Sequence, residues 1–142
     1  MARCTAKVTI KNNNIQVVLD GMEKEVKKAL TECGLEAQRY AVKICPHDTG
    51  LLRNSITYAV SGEAPAIKEY KADKGDGKGK YEGTAPEDKW SKYTVYIGTN
   101  VEYAQAVELG LGQDAKPYIK PAIEDHMGTY RSVIKKYLEG NG

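Results

Sequence analysis

The chain has 142 residues, enough for one domain built around one modest hydrophobic core. Its formal net charge of +2, from 21 basic and 19 acidic residues, is too balanced to indicate a nucleic-acid or membrane-surface protein by itself. The three cysteines, Cys4, Cys33 and Cys45, are odd in number and lack CxxC spacing, which argues against a disulfide framework and a zinc site.

Hydropathy and cysteine usage indicate the compartment. No apolar stretch approaches the roughly 20 residues that a membrane-spanning helix needs. Residues 1–5 lack the apolar run of a signal peptide. Unpaired cysteines suit a reducing cytosol. We therefore expect a protein without a membrane segment that is made and folded in a cytoplasm.

The first third of the chain predicts strands followed by a long helix. Apolar and polar residues alternate in residues 5–19 around an asparagine turn, which indicates a short hairpin or two edge strands. Asp20 is a candidate helix N-cap, and Glu23 three residues later completes a capping box. Apolar residues then recur every three or four positions as far as Ile44, and Pro46 disfavours helical geometry beyond it.

The middle of the chain predicts a turn, a strand and a long insertion. Residues 46–53 read as a turn and a short helical start, which Asp48 or Thr49 could cap. Alternation in residues 55–60 then predicts a strand. Residues 61–91 hold five of the fourteen glycines and two of the five prolines, so we expect a long exposed loop or a floppy hairpin arm.

The last third predicts one more strand and two helices. Residues 93–97 alternate as a strand does, and the strand ends at Gly98, Thr99 and Asn100. Residues 101–109 read as a short helix that glycines at 110 and 112 terminate. Pro117 and Pro121 precede a last helix, with Pro121 in its first turn.

These elements together predict one α+β domain over residues 1–142. An antiparallel sheet packs against a long N-terminal helix and a C-terminal helix. A flexible insertion at about 61–91 is expected to extend from this domain as a long exposed loop or hairpin arm.

Three short patterns resemble catalytic sites, and each has a simpler structural interpretation. Asp48-Thr49-Gly50 is similar to the catalytic turn of aspartic proteases, but no buried strand precedes it, so we interpret it as a turn and cap. The glycines at 75, 77 and 79 lack the preceding strand and following helix of a phosphate-binding loop. Cys45 and His47 lie close in sequence, but a nucleophilic pair depends on geometry, and we interpret Cys45 as structural. We expect no enzyme activity, no metal and no cofactor.

The insertion at 61–91 is the candidate interaction segment. It holds six lysines that can contact phosphates, although its seven acidic residues offset their charge. We single out six of its residues for contact with a partner: Lys71, Lys74, Lys78, Lys80, Tyr81 and Trp90. An arm that becomes ordered on contact with a neighbouring subunit is the leading interpretation, and a weak contact with DNA phosphates is the alternative.

Three segments in a fixed order resemble the patterns of one family. Residues 41–56 resemble a helix followed by P-x-D-T-G-x-L-R-x-S-I, and residues 95–110 resemble V-G-T-N-x-x-Y-A-x-x-V-E-x-G. Residues 116–122 resemble x-P-F-L-x-P-A, with Tyr118 where that pattern has Phe. Over about residues 20–138 the chain is similar to the HK-ninety-seven gene-product-ten family of phage tail components.

The resemblance carries over structural positions, since the family has no catalytic residues to transfer. The matching positions are Pro46, Asp48, Thr49, Gly50, Leu52, Arg53, Gly98, Thr99, Asn100, Tyr103, Ala104, Glu108, Gly110, Pro117 and Pro121. We expect Asp48-Thr49-Gly50 to form a tight turn that directs Leu51 and Leu52 toward the core. We also hypothesise that Arg53 and Glu108 form a conformational pair.

The resemblance implies a function in a virion. It implies a ring, expected to be a hexamer, that completes the tail at its head-proximal end and helps join it to the head. Its partners would be further copies of the chain and the neighbouring stopper, terminator and tail-tube proteins. The protein would move from the host cytoplasm into the virion. A tail terminator or head-closure stopper is the first alternative, and a DNA-contacting protein that uses the basic insertion is the second.

Overall fold

The computed structural model of the protein describes residues 4–9, 21–48, 50–61, 68–81 and 93–139. Within these ranges, five strands and five helices follow one another in the order β-α-α-β-β-β-β-α-α-α. The predicted α+β class is confirmed. Part of the predicted N-terminal hairpin, residues 10–19, lies outside the described residues.

The central sheet has three antiparallel strands, in the order β1 (Cys4–Thr9), β5 (Thr94–Thr99) and β2 (Thr57–Val60). The registers set Gly98 of β5 opposite Thr5 on one side and Thr57 on the other. All six residues of β5 are buried because this strand lies in the middle of the sheet. Its end therefore has a fixed position from which the following loop departs.

Helix α1 (Glu23–Ile44) packs its apolar face on this sheet. Four of the apolar positions that the periodicity predicts, Val26, Leu30, Cys33 and Ala37, are buried, as is Ala41. Ile44, at the end of the predicted face, is 45% exposed. Gly34 lies where the helix approaches the sheet most closely, since an added Cβ would come within 2.7 Å of the Tyr58 ring. A larger residue at this position would push the helix away from the sheet.

The predicted capping box at the start of α1 is wrong. The N-cap position is Met22, which makes no side-chain capping bond, and Asp20 lies outside the described residues. Glu23 and Glu25 lie in the first turn instead, where their charges interact favourably with the helix dipole.

The insertion contains a two-stranded antiparallel hairpin, which we call the arm hairpin. Its strands are β3 (Lys68–Lys71) and β4 (Lys78–Tyr81). It packs on α2 (Leu51–Ser55), the short helix of the first motif segment. This packing gives the described part of the insertion a defined place on the domain surface.

The C-terminal third forms α3 (Ala104–Leu109), α4 (Ile119–Glu124) and α5 (Met127–Leu138). The prediction of a single last helix is wrong, because the chain leaves helical geometry at His126. The His126 ring stacks on Tyr40 of α1, with 3.4 Å between ring centroids. Pro121 lies in the first turn of α4, as predicted.

Two tyrosines are the largest fully buried side chains of the described core. Tyr118 is 0% and Tyr130 is 1% exposed. The Tyr118 hydroxyl donates to the Ala104 carbonyl, and the Tyr130 hydroxyl donates to the Ala122 carbonyl. Because a buried hydroxyl needs a partner, each ring both fills the core and fixes the position of a neighbouring helix.

Candidate interaction site

The first motif segment begins α2 with a glycine in left-handed geometry. Gly50 occupies the N-cap position with φ of 88°, and its carbonyl accepts the Asn54 N–H at 2.9 Å. The prediction that Asp48 caps this helix is therefore wrong, and Thr49 lies outside the described residues. Starting the helix at this point places Arg53 and Asn54 beside the arm hairpin.

Asp73, just after β3, is the point at which the first motif segment holds the arm hairpin. Its carboxylate accepts bonds from His47 Nε2 at 3.0 Å, Arg53 at 3.1 Å and Asn54 Nδ2 at 3.1 Å. The hydrogen bond from His47, followed by the one from Asn54, lowers the pKa of this carboxyl below its usual value. A Cβ on Gly50 would overlap the Asp73 carboxylate, so the turn needs glycine for space as well as for conformation.

The second motif segment holds the other strand of the arm hairpin through Asn100. Its Nδ2 donates to the Lys80 carbonyl at 2.9 Å, and its Oδ1 accepts the Tyr70 hydroxyl at 2.6 Å. Tyr70 reaches Asn100 by crossing directly over Gly79, where an added Cβ would overlap the ring. On the first strand, Asn54 makes the equivalent bond to the Lys71 carbonyl at 2.9 Å.

We name the side chains that hold both strands the hairpin clamp; they are Arg53, Asn54, Tyr70, Asp73 and Asn100. Two asparagines, one from each motif segment, each donate to a backbone carbonyl of the arm hairpin. The clamp therefore fixes the hairpin relative to the sheet and α2.

A buried pair of hydroxyls joins the two motif segments beneath the clamp. Ser55 Oγ and Thr99 Oγ1 are hydrogen-bonded, and both residues are 0% exposed. Ser55 also bonds the Leu52 carbonyl, while Thr99 accepts the Val101 N–H at 3.1 Å. This hydrogen bond holds the end of β5 and the end of α2 together. It therefore connects the two segments that carry Asn54 and Asn100.

Glu108 connects the second motif segment to the third. Its side chain is 8% exposed and accepts the backbone N–H groups of Tyr118, Ile119 and Lys120 at 2.8, 2.6 and 3.1 Å. These donors begin α4, so a carboxylate from α3 caps another helix. Arg53 and Glu108, the hypothesised pair, have different partners in the structure. Arg53 bonds Asp73, and Glu108 bonds the backbone at the start of α4.

The other predicted motif residues shape the backbone around the clamp. Gly110 terminates α3 with φ of 77°, and an added Cβ would come within 2.8 Å of the Ala115 backbone. Ala104 is buried at the start of α3, while Tyr103 beside it is 44% exposed. Pro117 is exposed just before α4.

A cleft of about 560 Å³ lies between α2, α3 and the tip of the arm hairpin. The predicted motif residues Pro46, Asp48, Leu52 and Tyr103 line it together with Lys74. Leu52 is buried, as the predicted turn requires, whereas Leu51 is only partly buried. Asp48 is exposed and adds a charged group to this cleft.

The predicted interaction residues fall into three groups. Lys71, Lys74, Lys78 and Lys80 are all exposed. Tyr81 is 4% exposed, so its selection as a contact residue is wrong: the ring lies on the underside of the hairpin. Trp90 lies outside the described residues.

Sequence reasoning missed four residues of this site as contacts: His47, Asn54, Tyr70 and Asp73. Their partners lie between 17 and 30 positions away in sequence. The only signal in the sequence was that Asn54 lies inside a recognisable motif.

No group of three or more His, Cys, Asp or Glu side chains among the described residues could hold a metal ion. Burial raises the pKa of the Cys33 and Cys45 thiols to about 12, so both are protonated at neutral pH. None of the helices that the structure describes is long and apolar enough to cross a membrane.

Comparison with known proteins gives one match. The model of the HK97-gp10-like family, described as "Bacteriophage HK97-gp10, putative tail-component", matches residues 12–110. That range holds both halves of the hairpin clamp. No curated protein and no solved structure matches the chain. Because the match covers more than half of the chain, the protein belongs to the HK97-gp10-like family of bacteriophage tail components.

Proposed function

We propose that the protein is a tail-completion or neck subunit, which forms a ring at the head-proximal end of a phage tail and helps join the tail to the head. The family match supports a structural function in the tail. The proposed ring is a hexamer of identical chains, in contact with the stopper, terminator and tail-tube proteins. The chain folds in the host cytoplasm and then becomes part of the virion.

The hairpin clamp is the observation that carries this proposal. The polar side chains of the first two motif segments hold a surface hairpin in a fixed position. A ring of identical subunits is built from heterologous contacts, in which one surface of each copy binds a different surface of the next. A pre-positioned hairpin suits such a contact because little conformational entropy is lost on binding.

Electron microscopy of a lysate from phage that carry a null mutation in this gene tests the proposal. We expect DNA-filled heads beside separate tails of normal length. Complementation with the wild-type gene should restore joined particles. A gene encoding the double change Asn54→Ala and Asn100→Ala, which releases the arm hairpin, should restore fewer of them. Normal infectious particles from the null phage would contradict the proposal.

The alternatives give other results in the same micrographs. A head-closure stopper predicts heads that lose their DNA, and a tail terminator predicts overlong tails beside normal heads. A DNA-contacting protein is favoured by a different observation, the exposure of four lysines on the arm hairpin. It predicts a DNA affinity that falls steeply as salt concentration rises.

A further inference from the structure

The register of the arm hairpin sorts its side chains onto two faces. Ala72 N–H bonds the Gly77 carbonyl at 2.8 Å, which makes these two residues a hydrogen-bonded pair. Side chains alternate from there. The inner face carries Tyr70 and Tyr81 against the domain, and the outer face carries four exposed side chains: Glu69, Lys71, Lys78 and Lys80.

Two lysines lie directly opposite each other on the outer face. Lys71 of β3 pairs in register with Lys78 of β4, in a non-hydrogen-bonded position. Side chains at such a position start only about 5 Å apart, and like charges placed there destabilise the strand pair. Among the residues that the structure describes, neither ammonium group has a carboxylate within ion-pair distance.

The hairpin clamp prevents the strands from relieving this repulsion by separating. Asn54 holds the Lys71 carbonyl and Asn100 holds the Lys80 carbonyl, so both strands are fixed from their outer edges. Asp73, two residues after Lys71, is occupied by His47 and Arg53. Within the part of the chain that the structure describes, a positive pair without a carboxylate partner is thus held at a fixed place on the surface.

The acidic residues around the pair distinguish between classes of partner. Glu69 lies opposite Lys80 on the same face, and Asp76 lies exposed at the hairpin tip. A DNA backbone presents uniform negative charge, which Glu69 and Asp76 would repel. A protein surface with carboxylates opposite the lysines and a basic group opposite Glu69 complements every charge of the face.

We propose that the outer face of the arm hairpin is a docking surface for an acidic patch of another protein, with carboxylates that face Lys71 and Lys78. An open hollow of about 740 Å³ over this face, lined by Glu69, Lys71, Lys78 and Lys80 among others, gives the patch room to enter. The identification of that protein as a neighbouring virion subunit rests on the proposed function. The inference that the face binds acidic groups does not depend on the proposed function.

Titration of the isotopically labelled protein with an oligoglutamate peptide, followed by amide NMR shifts, tests the proposal. We expect the largest shifts in β3 and β4. The double change Lys71→Ala and Lys78→Ala should weaken binding roughly tenfold, since each exposed ion pair contributes little by itself and two are lost. The matched control, Lys24→Ala with Lys28→Ala on α1, removes two exposed lysines elsewhere and should leave the affinity unchanged.

A second variant keeps the test independent of folding. Lys71→Arg with Lys78→Arg retains both charges and should retain the binding. The alanine pair should also protect the hairpin amides from exchange, because it removes the repulsion between the strands.

Two results would overturn the proposal. One is an unchanged peptide affinity in the alanine pair. The other is a short duplex DNA that binds more tightly than the peptide and loses that binding in the alanine pair, which would assign the face to nucleic acid. These titrations use the isolated chain, so they test the docking surface separately from the proposed function. The peptide can fail to bind although the null phage leaves heads and tails unjoined. The peptide can also bind although the null phage forms normal particles.

Discussion

Two carboxylates organise this molecule, and their surroundings differ. Glu108 is 8% exposed and collects three backbone N–H groups. The Asp73 side chain is 46% exposed and collects three side chains, His47, Arg53 and Asn54. Glu108 holds a helix inside the fold, whereas Asp73 holds the arm hairpin on its surface.

The two sites show that hydrogen bonds of the same chemistry contribute unequally to the stability of the fold. Buried backbone donors have no water to replace a lost acceptor, so removing Glu108 leaves them unpaired. The donors around Asp73 are partly exposed and can bond water instead. We therefore expect changes at Glu108 to affect the whole fold and changes at Asp73 to affect the arm hairpin alone.

Replacing Glu108 by Ala is expected to have the largest effect. The free energy of unfolding should fall by roughly 3 kcal/mol, because hydrogen bonds to a charged acceptor contribute about 1.5–3 kcal/mol and buried donors are left unpaired. Urea denaturation measures the change. Glu102→Ala, at an exposed position just before α3, is the control and should change it by less than about 0.5 kcal/mol. Equal effects at the two sites would contradict a capping function for Glu108.

Gly50→Ala should have the next largest effect, because it disturbs both α2 and the bonds to Asp73. A side chain at φ of 88° is strained, and its Cβ would overlap the Asp73 carboxylate. We expect a loss of about 2 kcal/mol in the free energy of unfolding. Gly128→Ala, inside α5 with open space around it, is the matched control and should stabilise the protein by up to about 1 kcal/mol. A neutral Gly50→Ala would mean that the turn tolerates a side chain.

Asp73→Asn should act locally. It keeps the shape of the side chain but removes the charge that Arg53 and His47 bind. Hydrogen exchange should become faster at the amides of β3 and β4 and stay unchanged in α1. Asp76→Asn, at the exposed hairpin tip, controls for the loss of one negative charge. Faster exchange throughout the domain would remove the distinction between the two carboxylates.

Acid should produce the same local effect in the wild-type protein. The hydrogen bonds from His47 and Asn54 lower the pKa of Asp73 in the folded state. The stabilisation is therefore complete above the ordinary carboxyl pKa of about 4 and is lost as the pH falls through the lower folded value. Hairpin amide shifts recorded from neutral pH to strong acid measure it. The wild-type protein and Asp73→Asn should converge at the acid end, and a constant difference would exclude Asp73 as the titrating group.

Periodicity predicted the parts of the fold that depend on local pattern. Most of the apolar face of α1 was confirmed, because burial on one face of a helix leaves a repeat in the sequence. The strands β2 and β5 were confirmed as well, although β5 is buried on both faces. The start of α1 was not predicted, since its acidic first turn replaces the expected cap. The break at His126 was missed because its stacking partner, Tyr40, lies in another helix.

The candidate site was predictable only in part. The family patterns selected Arg53, Asn100 and Glu108, all of which make key contacts in the structure. They did not give the partners, and Arg53 bonds Asp73 where a pair with Glu108 was hypothesised. A polar residue that bonds a backbone carbonyl 17 or 20 positions away leaves no periodic signal. Only the fold shows that such residues meet.

The tip of the arm hairpin, residues 74–76, lies just past Asp73 and contributes no residue to the clamp. The bond between Ala72 and Gly77 closes the hairpin below it, and Gly75 at its end has open space around it. Extra residues inserted between Gly75 and Asp76 would therefore lengthen the tip while leaving the clamp and the lysine pair in place. A short epitope at this point would give an antibody label of known position and orientation, with which the subunit can be located in images of whole virions.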